Sequence, residues 1–119
     1  MRILLTSSLI FLSFIVLLAG CQTKTKETGE TTDFSKLASC LTEKGWVMYG
    51  RELSEETREQ KQLFGKSFAS INFVDCDLEL ETCFDTQNIK KYPTWIGPKE
   101  KRIEGVLSLE KLKQETECG

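Results

Sequence analysis

The sequence predicts an α/β domain over residues 33–119, with a mixed four-stranded sheet flanked by helices. Three observations carry this. Short apolar runs of strand length alternate with segments whose apolar residues recur at helical spacing. The first two runs are separated by a stretch of good helix formers, which makes them parallel strands with a right-handed crossover. The last two are separated only by Gly97-Pro98-Lys99-Glu100, which makes them an antiparallel hairpin.

The elements follow in order. Phe34, Leu37, Ala38 and Leu41 fall on one helical face, with Thr32 or Asp33 as the cap and Gly45 where the helix would stop. Trp46-Val47-Met48-Tyr49 is a short apolar run closed by Gly50 and reads as a buried strand. Ser54 to Phe64 is built from helix formers, with Ser54 as N-cap. Ile71-Asn72-Phe73-Val74 reads as a second buried strand, and Glu79 to Asn88 as a helix. Thr94-Trp95-Ile96 and Arg102-Ile103-Glu104 form the hairpin. Trp46 and Trp95, both in strands, are read as core. Lys99, Lys101 and Arg102 gather at the hairpin and are read as a solvated turn rather than a lipid contact. Leu109 to Glu117 is a last helix, capped by Ser108, with Leu109 and Leu112 facing inward. Helix, strand, helix, strand, helix, strand, strand, helix is the layout of the thioredoxin fold.

The amino terminus reads as an address. Arg2 is the only charge before the apolar run Ile3–Leu18, which ends in Leu18-Ala19-Gly20-Cys21. A charged start, an apolar core and small residues at the cut predict a signal peptide over residues 1–20. A retained transmembrane helix needs about 20 apolar residues, and this run falls short. The tetrapeptide at 18–21 resembles the lipobox of bacterial lipoproteins, whose cysteine receives a diacylglycerol. That resemblance implies lipidation of Cys21, export, and a membrane partner held through the lipid. At about 0.8 kcal/mol per buried CH₂, two or three acyl chains hold a small domain firmly. Gln22 in place of Asp implies, by the same analogy, the periplasmic face of an outer membrane. Residues 22–32, QTKTKETGETT, carry no apolar periodicity and are expected to be a tether reaching about 20 Å.

Composition narrows the function. The chain has 119 residues, a net charge of −2, no histidine and five cysteines. Its charge argues against nucleic acid as a partner. The lack of histidine removes the commonest general base and the commonest metal ligand. In an exported chain the cysteines are read first as disulfide partners. Cys40, Cys76, Cys83 and Cys118 permit three pairings. Zinc is disfavoured because the spacing lacks paired C-x-x-C elements; no cofactor is expected.

Four blocks, CLTEKGWVMYG, EQKQLFGKSFASINFVDCD, KKYPTW and EGVLSLEKL, resemble in order and spacing the thioredoxin-like domain of the vitamin K epoxide reductase-associated family. The resemblance covers nearly all of Cys40 to Cys118. It implies a thioredoxin-like fold and, in active members, thiol–disulfide exchange. In that family a Cys-Pro-His-Cys motif opens the helix after the Tyr-Gly strand end. Here Ser54-Glu55-Glu56-Thr57 occupy those positions, and Glu52 and Leu53 replace the aromatic residues usual before them. Exchange needs a thiolate to attack and a second thiol to resolve. A hydroxyl neither ionises near neutral pH without a base nor forms a disulfide. The departure therefore implies a non-catalytic binding or scaffold module.

The resemblance also implies a cis-proline loop at Tyr92-Pro93-Thr94, read first as a fold-defining turn. In active relatives it lines a groove where an extended peptide pairs with backbone, which leaves an envelope protein or extended peptide near Pro93 as the alternative. The implied fold favours the pairs Cys40–Cys118 and Cys76–Cys83. Two other functions stay open at this level. One is a thiol–disulfide oxidoreductase acting through Cys76 and Cys83, whose spacing is wider than C-x-x-C. The other is a partner subunit of a separate vitamin K epoxide reductase-like membrane enzyme, which rests on fold analogy.

Overall fold

The computed structural model describes residues 33–119 of the chain. The signal peptide expected over residues 1–20, the lipidation expected at Cys21 and the tether expected over residues 22–32 fall outside the described residues.

Helix α1 spans Ser35–Glu43 and buries Leu37, Ala38 and Leu41. The Asp33 carboxylate accepts the Ser35 N–H at 3.0 Å, satisfying one of the free donors at the helix start. At the other end Gly45 takes φ +80°. The Gly45 N–H donates to Thr42 C=O and the Trp46 N–H to Leu41 C=O, the two bonds of a Schellman turn. This turn feeds the chain directly into β1, Val47–Gly50.

The sheet has the order β2-β1-β3-β4, with β2 at Asn72–Asp75, β3 at Thr94–Ile96 and β4 at Arg102–Glu104. Strands β1 and β2 are parallel and are joined through helix α2, Glu55–Phe64. Strands β1 and β3, and β3 and β4, are antiparallel. Helix α3, Leu109–Thr116, is capped by Ser108, whose hydroxyl accepts the Lys111 N–H at 3.2 Å.

Successive strand residues face opposite sides of a sheet, and two cores result. On one face Met48 and Trp95, partners in register, pack with Phe64 of α2, the buried residues of α1, and Leu109 and Leu112 of α3. On the other face Tyr49 packs with Cys76, Cys83 and Ile89, flanked by Val47, Val74, Ile96 and Tyr92. Trp46 and Trp95 are both buried, and the Trp95 indole N–H has no hydrogen-bond partner among the described residues.

Two elements differ from the sequence expectation. Strand β2 is an edge strand: Asn72 is exposed and the rest is half-buried, because only β1 pairs with it. The helix expected over 79–88 is a six-residue π-helical turn, Glu81–Thr86, in which the Gln87 N–H donates to Thr82 C=O. It ends before Asn88, which takes a left-handed φ of +52°. Cys83 is anchored to Cys76, only seven residues away. With the turn pinned there and Ile89 drawn into the core, Leu78, Leu80 and Phe84 are left facing solvent.

The Cys40–Cys118 disulfide joins α1 to the residues after α3, across a sequence separation of 78. Close packing elsewhere depends on a glycine. A Cβ on Gly97 would lie 2.5 Å from ring atoms of the buried Trp46. Gly97→Ala is therefore expected to cost about 1–3 kcal/mol as overpacking, read as a lower urea midpoint with an unchanged slope.

Candidate functional site

The candidate site is built where β1 ends and α2 begins. Ser54 has extended backbone angles, φ −74° and ψ 130°, and its hydroxyl accepts the Thr57 N–H at 3.3 Å. The same hydroxyl donates to a Glu56 carboxylate oxygen at 2.8 Å. Glu55 and Glu56 occupy the first turn, where the helix dipole favours negative charge. The Glu56 carboxyl is held below the usual carboxylate range, first by its own backbone N–H and then by the Ser54 hydroxyl.

Thr57 is fully buried, and its hydroxyl accepts the Arg51 N–H at 3.2 Å. Its methyl and hydroxyl press on the strand end, so that a Cβ on Gly50 would come within 2.7 Å of both. A glycine at 50 is thus required by close approach. Glu52, next along, forms an ion pair with Lys61 of α2.

The proline loop comes to the same end of the sheet because β3 runs antiparallel to β1, placing Thr94 opposite Tyr49. The Tyr92–Pro93 peptide bond is cis. Pro93 is buried, and its carbonyl accepts the Gly105 N–H at 2.8 Å. The Thr94 hydroxyl donates to Lys91 C=O at 2.7 Å. Tyr92 itself makes no hydrogen bond among the described residues.

A bridge that sequence reasoning missed connects these parts. The Arg51 guanidinium pairs with Asp77 at 2.6 Å and lies 5.9 Å from the centroid of the Tyr92 ring. Asp77 raises the Arg51 pKa further above its already high value, through hydrogen bonding first and charge second. The bridge thus links the loop after β1, the loop after β2 and the proline loop. No local sequence signal could have found it, because Arg51 and Asp77 stand 26 residues apart.

One disulfide borders the site on the Tyr49 face of the sheet: the Cys76 N–H donates to Gly50 C=O at 2.8 Å, and Tyr92 packs against the cluster that holds Cys76 and Cys83. Cys76 and Cys83 form this disulfide and both are fully buried, against the core face of Tyr49. Cys40 and Cys118 form the other, half-buried at the α1 end of the domain. Among the described residues no group of three or more cysteines and carboxylates gathers in a metal-holding arrangement. Lys99 and Arg102 are exposed at the hairpin, while the Lys101 ammonium reaches the Glu115 carbonyl near the end of α3. Lys44 performs a similar role at Glu117, donating to its carbonyl at 2.6 Å. Cations at a helix carboxyl end satisfy its free carbonyls.

Chemically, the helix mouth holds two hydroxyls, each committed to a backbone amide. The Ser54 hydroxyl also donates to the Glu56 carboxylate, which its lowered pKa makes a weaker base than an ordinary carboxylate. Ser54→Ala is expected to cost about 1 kcal/mol as a lost cap, which for a domain of this size lowers Tm by about 4–8 °C. It should also move the Glu56 pKa up towards its ordinary value, as seen by NMR titration. The sign is fixed by linkage. A depressed carboxyl pKa contributes stability above its unfolded value, and that contribution is lost as pH falls through the folded value. The pH dependence in the acid range should therefore weaken in the variant.

No model of a known protein family matches the chain.

Proposed function

We propose that this chain is a membrane-anchored lipoprotein whose thioredoxin-like domain has lost its redox pair and serves as a non-catalytic protein-binding module of the cell envelope. The observation that carries the reading is the occupancy of the helix mouth. Ser54 and Thr57, at the positions of the two motif cysteines in the family this sequence resembles, spend their hydroxyls on capping α2 and on holding the end of β1. The sheet order and the proline loop beside that mouth support the thioredoxin-like frame. In that frame the backbone of Tyr92 offers an extended peptide of an envelope protein its pairing site. Burial of both sulfurs weighs against a shuttle through Cys76 and Cys83, because an attacking thiol must reach a disulfide sulfur directly.

Export and anchoring rest on the Leu18-Ala19-Gly20-Cys21 tetrapeptide, and in a cell with an outer membrane the absence of Asp at Gln22 favours, by lipoprotein analogy, its periplasmic face. The two disulfides are consistent with an oxidising compartment. One measurement tests anchoring and sulfur state together: the intact mass of the chain expressed in a bacterial host, before and after thiol labelling without reductant. The expected species lacks residues 1–20, carries acyl chains on Cys21 and takes up no label on its other cysteines. An unlipidated species would overturn the anchor, and labelling of Cys76 and Cys83 would overturn the locked-sulfur reading.

A further inference from the structure

The margin of the sheet at β2 has features that neither the fold nor the helix mouth uses. The Cys76 N–H donates to Gly50 C=O at 2.8 Å, and Gly50 stands in register with Asp75. In a parallel ladder this means that residues 74 and 76 turn their backbone groups toward β1, whereas Phe73 and Asp75 turn theirs outward. The Asp75 carbonyl is taken by the Leu78 and Glu79 N–H groups. The Phe73 N–H and C=O and the Asp75 N–H have no partner among the described residues. An open cleft of about 500 Å³ borders this edge, lined by Glu52, Phe73, Val74, Asp75, Leu78 and Glu79. Phe73 and Val74 point to opposite faces, so a cleft touching both runs along the strand edge itself.

The rim is apolar and acidic together. Leu78, on the rim, is 80% exposed. From Val74 to Ile89 the chain carries Asp75, Asp77, Glu79, Glu81 and Asp85 and no Lys or Arg. Two nearby cations are already engaged: Arg51 with Asp77, and Lys61 with Glu52 and over the Phe73 ring, 4.0 Å from its centroid. A second copy of this chain would bring the same carboxylates face to face across the pairing, which repulsion disfavours.

We propose that the β2 edge is a docking site for an extended segment of another protein in which Lys or Arg alternates with apolar residues. Its backbone would pair with Phe73 and Asp75, its apolar side chains would cover Leu78, and its cations would meet Asp75 and Glu79. The edge of β2 is not the pairing edge of the proline loop, since β1 lies between β2 and the β3 strand that the loop opens, although the Arg51–Asp77 pair links the neighbouring loops.

The test uses the full-length chain in a neutral detergent and two synthetic peptides of alternating sequence, one with lysine and valine, the other with glutamate and valine. Amide hydrogen exchange reports on Phe73 and Asp75. Both should exchange rapidly in the free chain and slow at least tenfold with the lysine peptide. The glutamate peptide should leave them unchanged, and added salt should weaken the protection. Glu79→Lys, an exposed substitution remote from the core, should weaken binding at least tenfold. Equal binding of both peptides, no binding of the lysine peptide at millimolar concentration, or protection that rises with protein concentration alone would each overturn the proposal.

Discussion

Replacing Cys40 and Cys118 together with serine is expected to lower the free energy of unfolding by about 4–4.5 kcal/mol. The bond closes a loop with a sequence separation of 78, nearly the whole described domain. On the chain-entropy model a loop of that length restricts the unfolded chain by this amount. Domains of this size are stable by about 0.05–0.15 kcal/mol per residue in total, so the loss takes between about a third and all of the margin. The Cys76–Cys83 bond spans only seven residues, and the same model assigns it about 2.5 kcal/mol. Urea denaturation of both double-serine variants checks the order. The long-loop variant should show the larger drop in midpoint, with a slope no smaller than that of the natural chain, because its unfolded state is less compact. A long-loop variant as stable as the short-loop variant would contradict the entropic account.

The second large effect is a gain. Ser54→Cys with Thr57→Cys should give the domain a disulfide that forms, breaks and turns over. The two positions lie three apart at a helix start, on a shared face. The thiol introduced at position 54 would inherit a half-exposed place at the positive end of α2. There its pKa should fall below the ~8.5 of a free thiol. The thiol introduced at position 57 would take the buried seat facing Gly50, as the resolving partner. Glu55 and Glu56 work against thiolate formation, since like charge disfavours a second anion. Adding Glu55→Gln and Glu56→Gln should therefore lower the pKa of the attacking thiol further and speed exchange. Thiolate absorbance against pH gives that value, and redox equilibrium with glutathione shows whether the pair closes. Two introduced thiols that never pair would contradict the proposed redox ancestry of the frame.

Much of this was legible in the sequence because the relevant forces are local. Ser54 and Ser108 cap the helices they precede, and Gly45 stops α1, since caps and stops depend on residues within one turn. The four-residue turn at 97–100 specified the hairpin for the same reason. What the sequence concealed is tertiary. Ile71-Asn72-Phe73-Val74 has the apolar content of a buried strand, yet its place at the sheet margin is fixed by which strands pair, not by its own residues. Glu79 to Asn88 contains good helix formers, but a disulfide over a short loop and the burial of Ile89 override propensity and leave a single π turn. The Arg51–Asp77–Tyr92 bridge joins three loops that only the folded chain brings together.

The most direct measurement is the rate at which the natural chain catalyses reduction of insulin by dithiothreitol. With oxygen in place of sulfur at the mouth of α2, insulin should precipitate no faster than with dithiothreitol alone. A rate above that background, retained through repurification and abolished by Cys83→Ser, would show that the buried pair exchanges after all.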